Sequence, residues 1–158
     1  MRTANMKAFR LFVAVSASIL ISSTGHAGQY DKLLSVSDVE KGSGLTGLRT
    51  VAKGELKAAG GDLNFATDKN KMVLMVQVFS GDWYERYKGQ KGYFKADVQG
   101  IGAAAFKGLA ADPQLSLFVK MGNSCIVLTT FHNLLGKTPT MMTMDQVTAL
   151  GKLIAERI

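Results

Sequence analysis

Histidine and cysteine carry much of the nucleophilic and metal chemistry of proteins, and this 158-residue chain holds two histidines and one cysteine. Cys125 lies in the apolar run Ser124-Cys125-Ile126-Val127-Leu128. A lone cysteine forms no intrachain disulfide, and one inside a strand pattern reads as a small core residue. His132 stands beside Asn133 at the end of that run. No His/Cys set has zinc-ligand spacing. No Gly-x-Ser-x-Gly elbow presents a nucleophile. The chain also lacks a phosphate loop and a dinucleotide fingerprint. These absences point away from an enzyme and away from a cofactor.

Two other clusters have chemical character. The first is aromatic and basic: Trp83, Tyr84, Arg86, Tyr87 and Lys88, continued by Lys91, Tyr93, Phe94 and Lys95. In a helix, Trp83 and Tyr87 share a face, four residues apart. Trp, Tyr and Arg are the residues most enriched in binding hot spots. The segment therefore reads as a recognition surface for a protein, a glycan or an anionic polymer. The alternative is an amphipathic helix that packs Trp83 and Tyr87 on a sheet and keeps its lysine heads in water. The second cluster is Met141, Met142 and Met144, with His132 a little upstream. Thioethers are soft ligands suited to Cu(I), so a copper-binding protein is the alternative function. Methionine is also a gap-filler of cores, which is the competing explanation.

The elements that must position these residues follow from patterning. Ser37 and Glu40 have capping-box spacing, predicting a short helix that stops near Gly42 or Gly44. Leu48 to Ala52, Asp62 to Thr67 and Met72 to Phe79 read as strands, the last two as a hairpin across Asp68-Lys69-Asn70-Lys71. Asp82 can cap a helix that begins at Trp83. Phe94 to Val98 is ambiguous between helix and strand. Ala103 to Phe106, after the Gly100-Ile101-Gly102 break, reads as one short turn or the start of a strand. Leu115 to Met121 and Cys125 to Phe131 form a hairpin across Gly122-Asn123. Thr143, with Gln146 three residues on, caps a final helix whose apolar face is Met144, Val147, Leu150, Ile154 and Ile158. The order is α-β-β-β-α-(β)-β-β-α. It predicts an α+β domain, a mostly antiparallel sheet with helices packed on one face.

The first 27 residues have the layout of a cleavable export signal. Arg2, Lys7 and Arg10 precede an apolar run from Leu11 to Ile21, and Gly25-His26-Ala27 places small residues at −3 and −1 of a cut after Ala27. The run is shorter than the ~20 apolar residues that span a bilayer. Without a cysteine at the cut there is no lipid anchor. Residues 28–158 are thus expected as one domain, released without a membrane anchor into the periplasm or the extracellular medium. Removing the signal takes the net charge from +7 to +4, because three basic and no acidic residues leave with it. The remaining charges are mixed along the chain, which is not a nucleic-acid footprint.

In outline the chain resembles small exported bacterial sensor-like and lipoprotein-like α+β domains, some similar to the PsbP-like sandwich. The stretches that carry the resemblance are Leu34-Ser35-Val36-Ser37-Asp38-Val39-Glu40, Gly61-Asp62-Leu63-Asn64-Phe65, the break from Val98 to Phe106, and the terminal helix. Most such domains have no known activity, so the resemblance implies a fold and no particular role. Such domains often carry an acidic pair in a Gly-Asp-Glu-Ala-aromatic break. Here the stretch is Gly102-Ala103-Ala104-Ala105-Phe106, so no role of those acids transfers.

Overall fold

A computed structural model describes residues 30–158, apart from positions 112, 113, 135 and 137. The proposed export signal lies outside the described residues. Seven strands form one antiparallel sheet in the order β1-β2-β3-β7-β6-β5-β4. They are β1 (Leu48–Thr50), β2 (Leu63–Thr67), β3 (Met72–Ser80), β4 (Phe94–Val98), β5 (Ala104–Ala111), β6 (Gln114–Met121) and β7 (Ser124–Thr130). Among the described residues three helices accompany it: α1 (Val36–Ser43), α2 (Asp82–Gly89) and α3 (Met144–Arg157). The fold is α+β. Among the described residues, no helix is long and apolar enough to cross a membrane.

Two meanders, β1-β2-β3 and β4-β5-β6-β7, meet at the β3–β7 pair, where Leu74 lies opposite Thr130 and Ser80 opposite Ser124. Alternation along β7 divides the molecule. Ile126 and Leu128 face one core with Leu74, Val76, Leu117 and Val119, closed by α1 and α3 through Val39, Val147, Leu150 and Ile154. Cys125 and Val127 face the other side, with Phe106, Phe118 and Tyr84. The predicted placement of helices on one face therefore holds for α1 and α3, while α2 covers the opposite face. Connectivity gives the reason. The chain leaves β3 and must reach the far edge at β4, passing β7, β6 and β5, and α2 lies on that path.

Local chemistry adjusts several boundaries. The N-cap of α1 is Ser35 with Asp38 at N3, one half-turn before the expected Ser37/Glu40 pair. The earlier box closes because Glu40 is engaged elsewhere, accepting from the Leu48 amide at 2.9 Å. The N-cap of α2 is Gly81 rather than Asp82. The Gly81 amide donates to the Asn123 carbonyl at 2.8 Å, and a Cβ there would lie 3.1 Å from the Asn123 backbone. The stretch from Phe94 to Ala111 holds two strands, one more than the sequence predicted. The β6–β7 turn falls at Gly122-Asn123, with Met121 opposite Ser124 and a positive φ at Gly122, as a two-residue hairpin with glycine first requires. The Thr143/Gln146 box caps α3.

Candidate functional site

The aromatic cluster is assembled from α2 and the strands β3, β4, β5 and β6. Tyr84 is the anchor of α2: it is 2 % exposed and meets the edge of Phe106 at 5.2 Å between centroids. Phe106 in turn stacks on Phe118 at 4.5 Å and 9°. This corrects the expectation that Tyr84 belongs to the recognition surface, since one residue of the helix had to point straight into the sheet. Burial raises the Tyr84 phenol, and its hydroxyl has no hydrogen-bond partner among the described residues.

Trp83 and Tyr87 do share a face, with centroids 5.5 Å apart. Phe79, near the end of β3, touches both, at 5.5 Å and 6.0 Å. Tyr87 then stacks on Tyr93 at 5.3 Å and meets Phe118 below at 4.9 Å. The result is a continuous ladder, Phe79–Trp83–Tyr87–Tyr93, resting on the Phe118/Phe106 stack. Tyr87 is half-buried, and burial raises its phenol too. Two rings of the cluster are open: Trp83, within the ladder, is 37 % exposed, and Phe94, on edge strand β4 against Phe106, is 41 % exposed.

Each open ring carries a cation. The Arg86 guanidinium lies 5.2 Å from the Trp83 centroid, and the Lys88 ammonium 5.3 Å from that of Phe94. These cations are also neutralised locally. Arg86 pairs with Asp82 at 3.0 Å and Lys88 with Asp97 at 2.7 Å, while Lys120, over Tyr84, pairs with Glu85 at 3.1 Å. The hydrogen bond to Asp97 raises Lys88, and the Ser80 hydroxyl followed by Arg86 lowers Asp82. The surface is therefore aromatic, with Arg86, Lys88 and Lys120 paired and Lys91 and Lys95 exposed without an ion pair among the described residues.

The methionine cluster is divided by the fold. Met142 is 1 % exposed in the core of the α1/α3 face, its amide donating to the Thr130 hydroxyl at 3.1 Å. Met144 opens α3 and packs against the same core. Met141 instead lines an open cleft with Met72, Phe131 and His132. His132 and Met141 are thus brought to one cleft, and Met142 is placed in the interior. Cys125 is fully buried and its thiol is pushed up to about 12 by burial, which makes it a core group rather than a nucleophile.

Comparison with family models, with curated proteins and with solved structures returned no match. Function is accordingly argued from the chemistry of the two surfaces alone. The cleft was missed in sequence because its walls come from four separate segments: Leu56–Ala58, Asn70–Met72, Phe131–Leu134 and Met141.

Proposed function

We propose that this protein is a non-enzymatic binding or accessory module of the cell envelope, acting in the periplasm or outside the cell, with the Trp83–Tyr87 face of α2 as its recognition surface. The observation that carries this reading is the ladder of four touching rings on a rigid sheet, with the solvent-facing ring of Trp83 inside it and that of Phe94 on the neighbouring Phe106. Rigid aromatic side chains offer large contact area at little entropic cost, and such residues dominate binding hot spots.

The pairing of Arg86 with Asp82 and of Lys88 with Asp97 narrows the partner. Neutralised cations offer little to an anionic polymer, whose binding depends on free positive charge. A protein anchor or a glycan presents the apolar or C–H-rich face that a ring ladder matches. Arg86 and Lys88 then serve to hold the rings and to accept polar groups at the rim.

A photo-reactive amino acid at position 83, compared with one at the remote Glu156 of α3, tests the reading in cells. Trp83 emission, recorded in parallel against soluble envelope polysaccharides, covers a glycan partner. The expected result is one discrete crosslinked protein at position 83, or a saturable blue shift with one polysaccharide, either abolished by Tyr87→Ala. Equal crosslinking from both positions together with an unmoved emission sinks the proposal.

A further inference from the structure

On the sheet face that α2 leaves free, the segment after β1 folds back on β2 and β3 and leaves an open cleft of about 570 Å³. That volume lies within the range of small-molecule sites. Asn64 fixes the wall. It is 2 % exposed, accepts from the Gly61 amide at 2.9 Å, and donates to the carbonyls of Gly61 and Val51 at 3.0 and 3.3 Å. The floor is apolar: Leu56, Met72, Phe131 and Met141. Leu134, at the same cleft, is 89 % exposed, an apolar side chain with almost no cover.

The polar groups of the cleft all have one sign or none. Lys57, Lys71 and His132 line it, with Asn70 and Asn133, and among the described residues no carboxylate does. Neither lysine is in an ion pair with a described residue. The adjacent acid, Glu55, is held away by Arg49 at 2.8 Å and by the Ala52 amide at 3.0 Å. His132 is oriented by a 3.0 Å hydrogen bond from Nδ1 to the Pro139 carbonyl. That bond makes Nδ1 the donor and Nε2 an acceptor, which is enclosed and has no partner among the described residues. An enclosed polar atom without a partner is costly unless a ligand or water satisfies it. Two free ammonium groups disfavour a cation here, copper included, and favour an anion.

We infer that this cleft binds a single-chain amphiphile with an anionic head. The alkyl chain lies along Leu56, Met72, Phe131 and Met141, capped by Leu134. The head sits at Lys57 and Lys71. A fatty acid and a single-chain phosphate ester share this chemistry.

The test uses the purified protein labelled at its methionine methyl groups. Dodecanoate and dodecyl phosphate are titrated below their micelle concentrations, with dodecanol and dodecyltrimethylammonium as the uncharged and cationic controls. Saturable shifts are expected at the Met72 and Met141 methyls, with the core methyls of Met142 and Met121 unmoved. Whichever of the two anions binds more tightly identifies the head group. Dodecanol, and either anion with the Lys57→Glu/Lys71→Glu double variant, should bind about tenfold more weakly. Both lysines are exposed, so this variant keeps the fold, which the unchanged core methyl signals verify. No shift at Met72 and Met141, or equal shifts with the cationic amphiphile, overturns the inference.

Discussion

Arg157, in the last turn of α3, closes on Asp38, in the first turn of α1, through two hydrogen bonds of 2.8 and 3.0 Å. The same guanidinium donates to the Leu33 carbonyl at 2.9 Å, and Asp38 also accepts from the Ser35 amide at 2.7 Å. One carboxylate thus both caps a helix and joins the two ends of the described domain.

The consequence is a dependence on acid. The Arg157 guanidinium holds the Asp38 carboxyl well below the usual carboxylate range. A carboxyl depressed in the folded state stabilises above its unfolded pKa, about 3.9, and loses that stabilisation as pH falls toward the folded value. Arg157→Ala should therefore lower stability at neutral pH and flatten the loss below pH about 4. Denaturant midpoints of both proteins across pH 2–7 measure this. An unchanged acid slope in the variant would assign the acid sensitivity to other carboxylates.

Tyr84 separates ring from hydroxyl. Its ring fills the contact between α2 and the sheet, but its buried oxygen has no partner among the described residues. Tyr84→Phe should be neutral or slightly stabilising, because it removes a desolvated group and no hydrogen bond. Tyr84→Ala should cost about 3–5 kcal/mol through the cavity left against Phe106 and Phe118. Thermal unfolding of the two variants decides, and a costly Tyr84→Phe would reveal a water bound to that oxygen.

Ser116 and Thr129, neighbours on β6 and β7, share a fully buried hydroxyl–hydroxyl bond of 2.7 Å. Ser116→Ala alone leaves Thr129 unpaired and should cost about 1–3 kcal/mol. Adding Thr129→Val should recover most of that loss, since both partners are then apolar. A double-mutant cycle by urea unfolding gives the coupling. Strict additivity would mean the pair contributes nothing as a pair.

Cys125 should behave as a clock for opening. Buried in the strand and with its thiol pushed up to about 12, it should resist alkylation in the native protein at neutral pH. Labelling should then follow the free energy of unfolding as denaturant rises. Rapid modification in the absence of denaturant would show that β7 frays.

The sequence carried the architecture better than the site. Gly122-Asn123 and the Thr143/Gln146 box were readable because each is a local requirement of backbone geometry. The aromatic cluster was readable as a cluster, but its division was not. Trp83, Tyr84 and Tyr87 are all aromatic, so periodicity could not say which would face the sheet. Phe106 and Phe118, contributed by distant strands, settled that Tyr84 does. The α1 cap moved because Ser35-Asp38 and Ser37-Glu40 compete on nearly equal local terms, and Glu40 found a partner in Leu48, across the turn. The methionines were read as neighbours because they are close in sequence. Strand-end pairing of Met141 with Phe131 and the bond from Met142 to Thr130 sent them to different places.

The junction of the two meanders also sets an order of events. Every other ladder joins strands adjacent in sequence, whereas β3 pairs with β7, more than forty residues later. As the chain emerges from its N-terminus, the three-stranded half can assemble first. Its β3 edge, one of the most apolar segments in the protein, then waits open until the second hairpin is complete. In that interval β3 can add a foreign strand as readily as its own. The seam that makes one sheet of two meanders is therefore also the point at which folding competes with self-association.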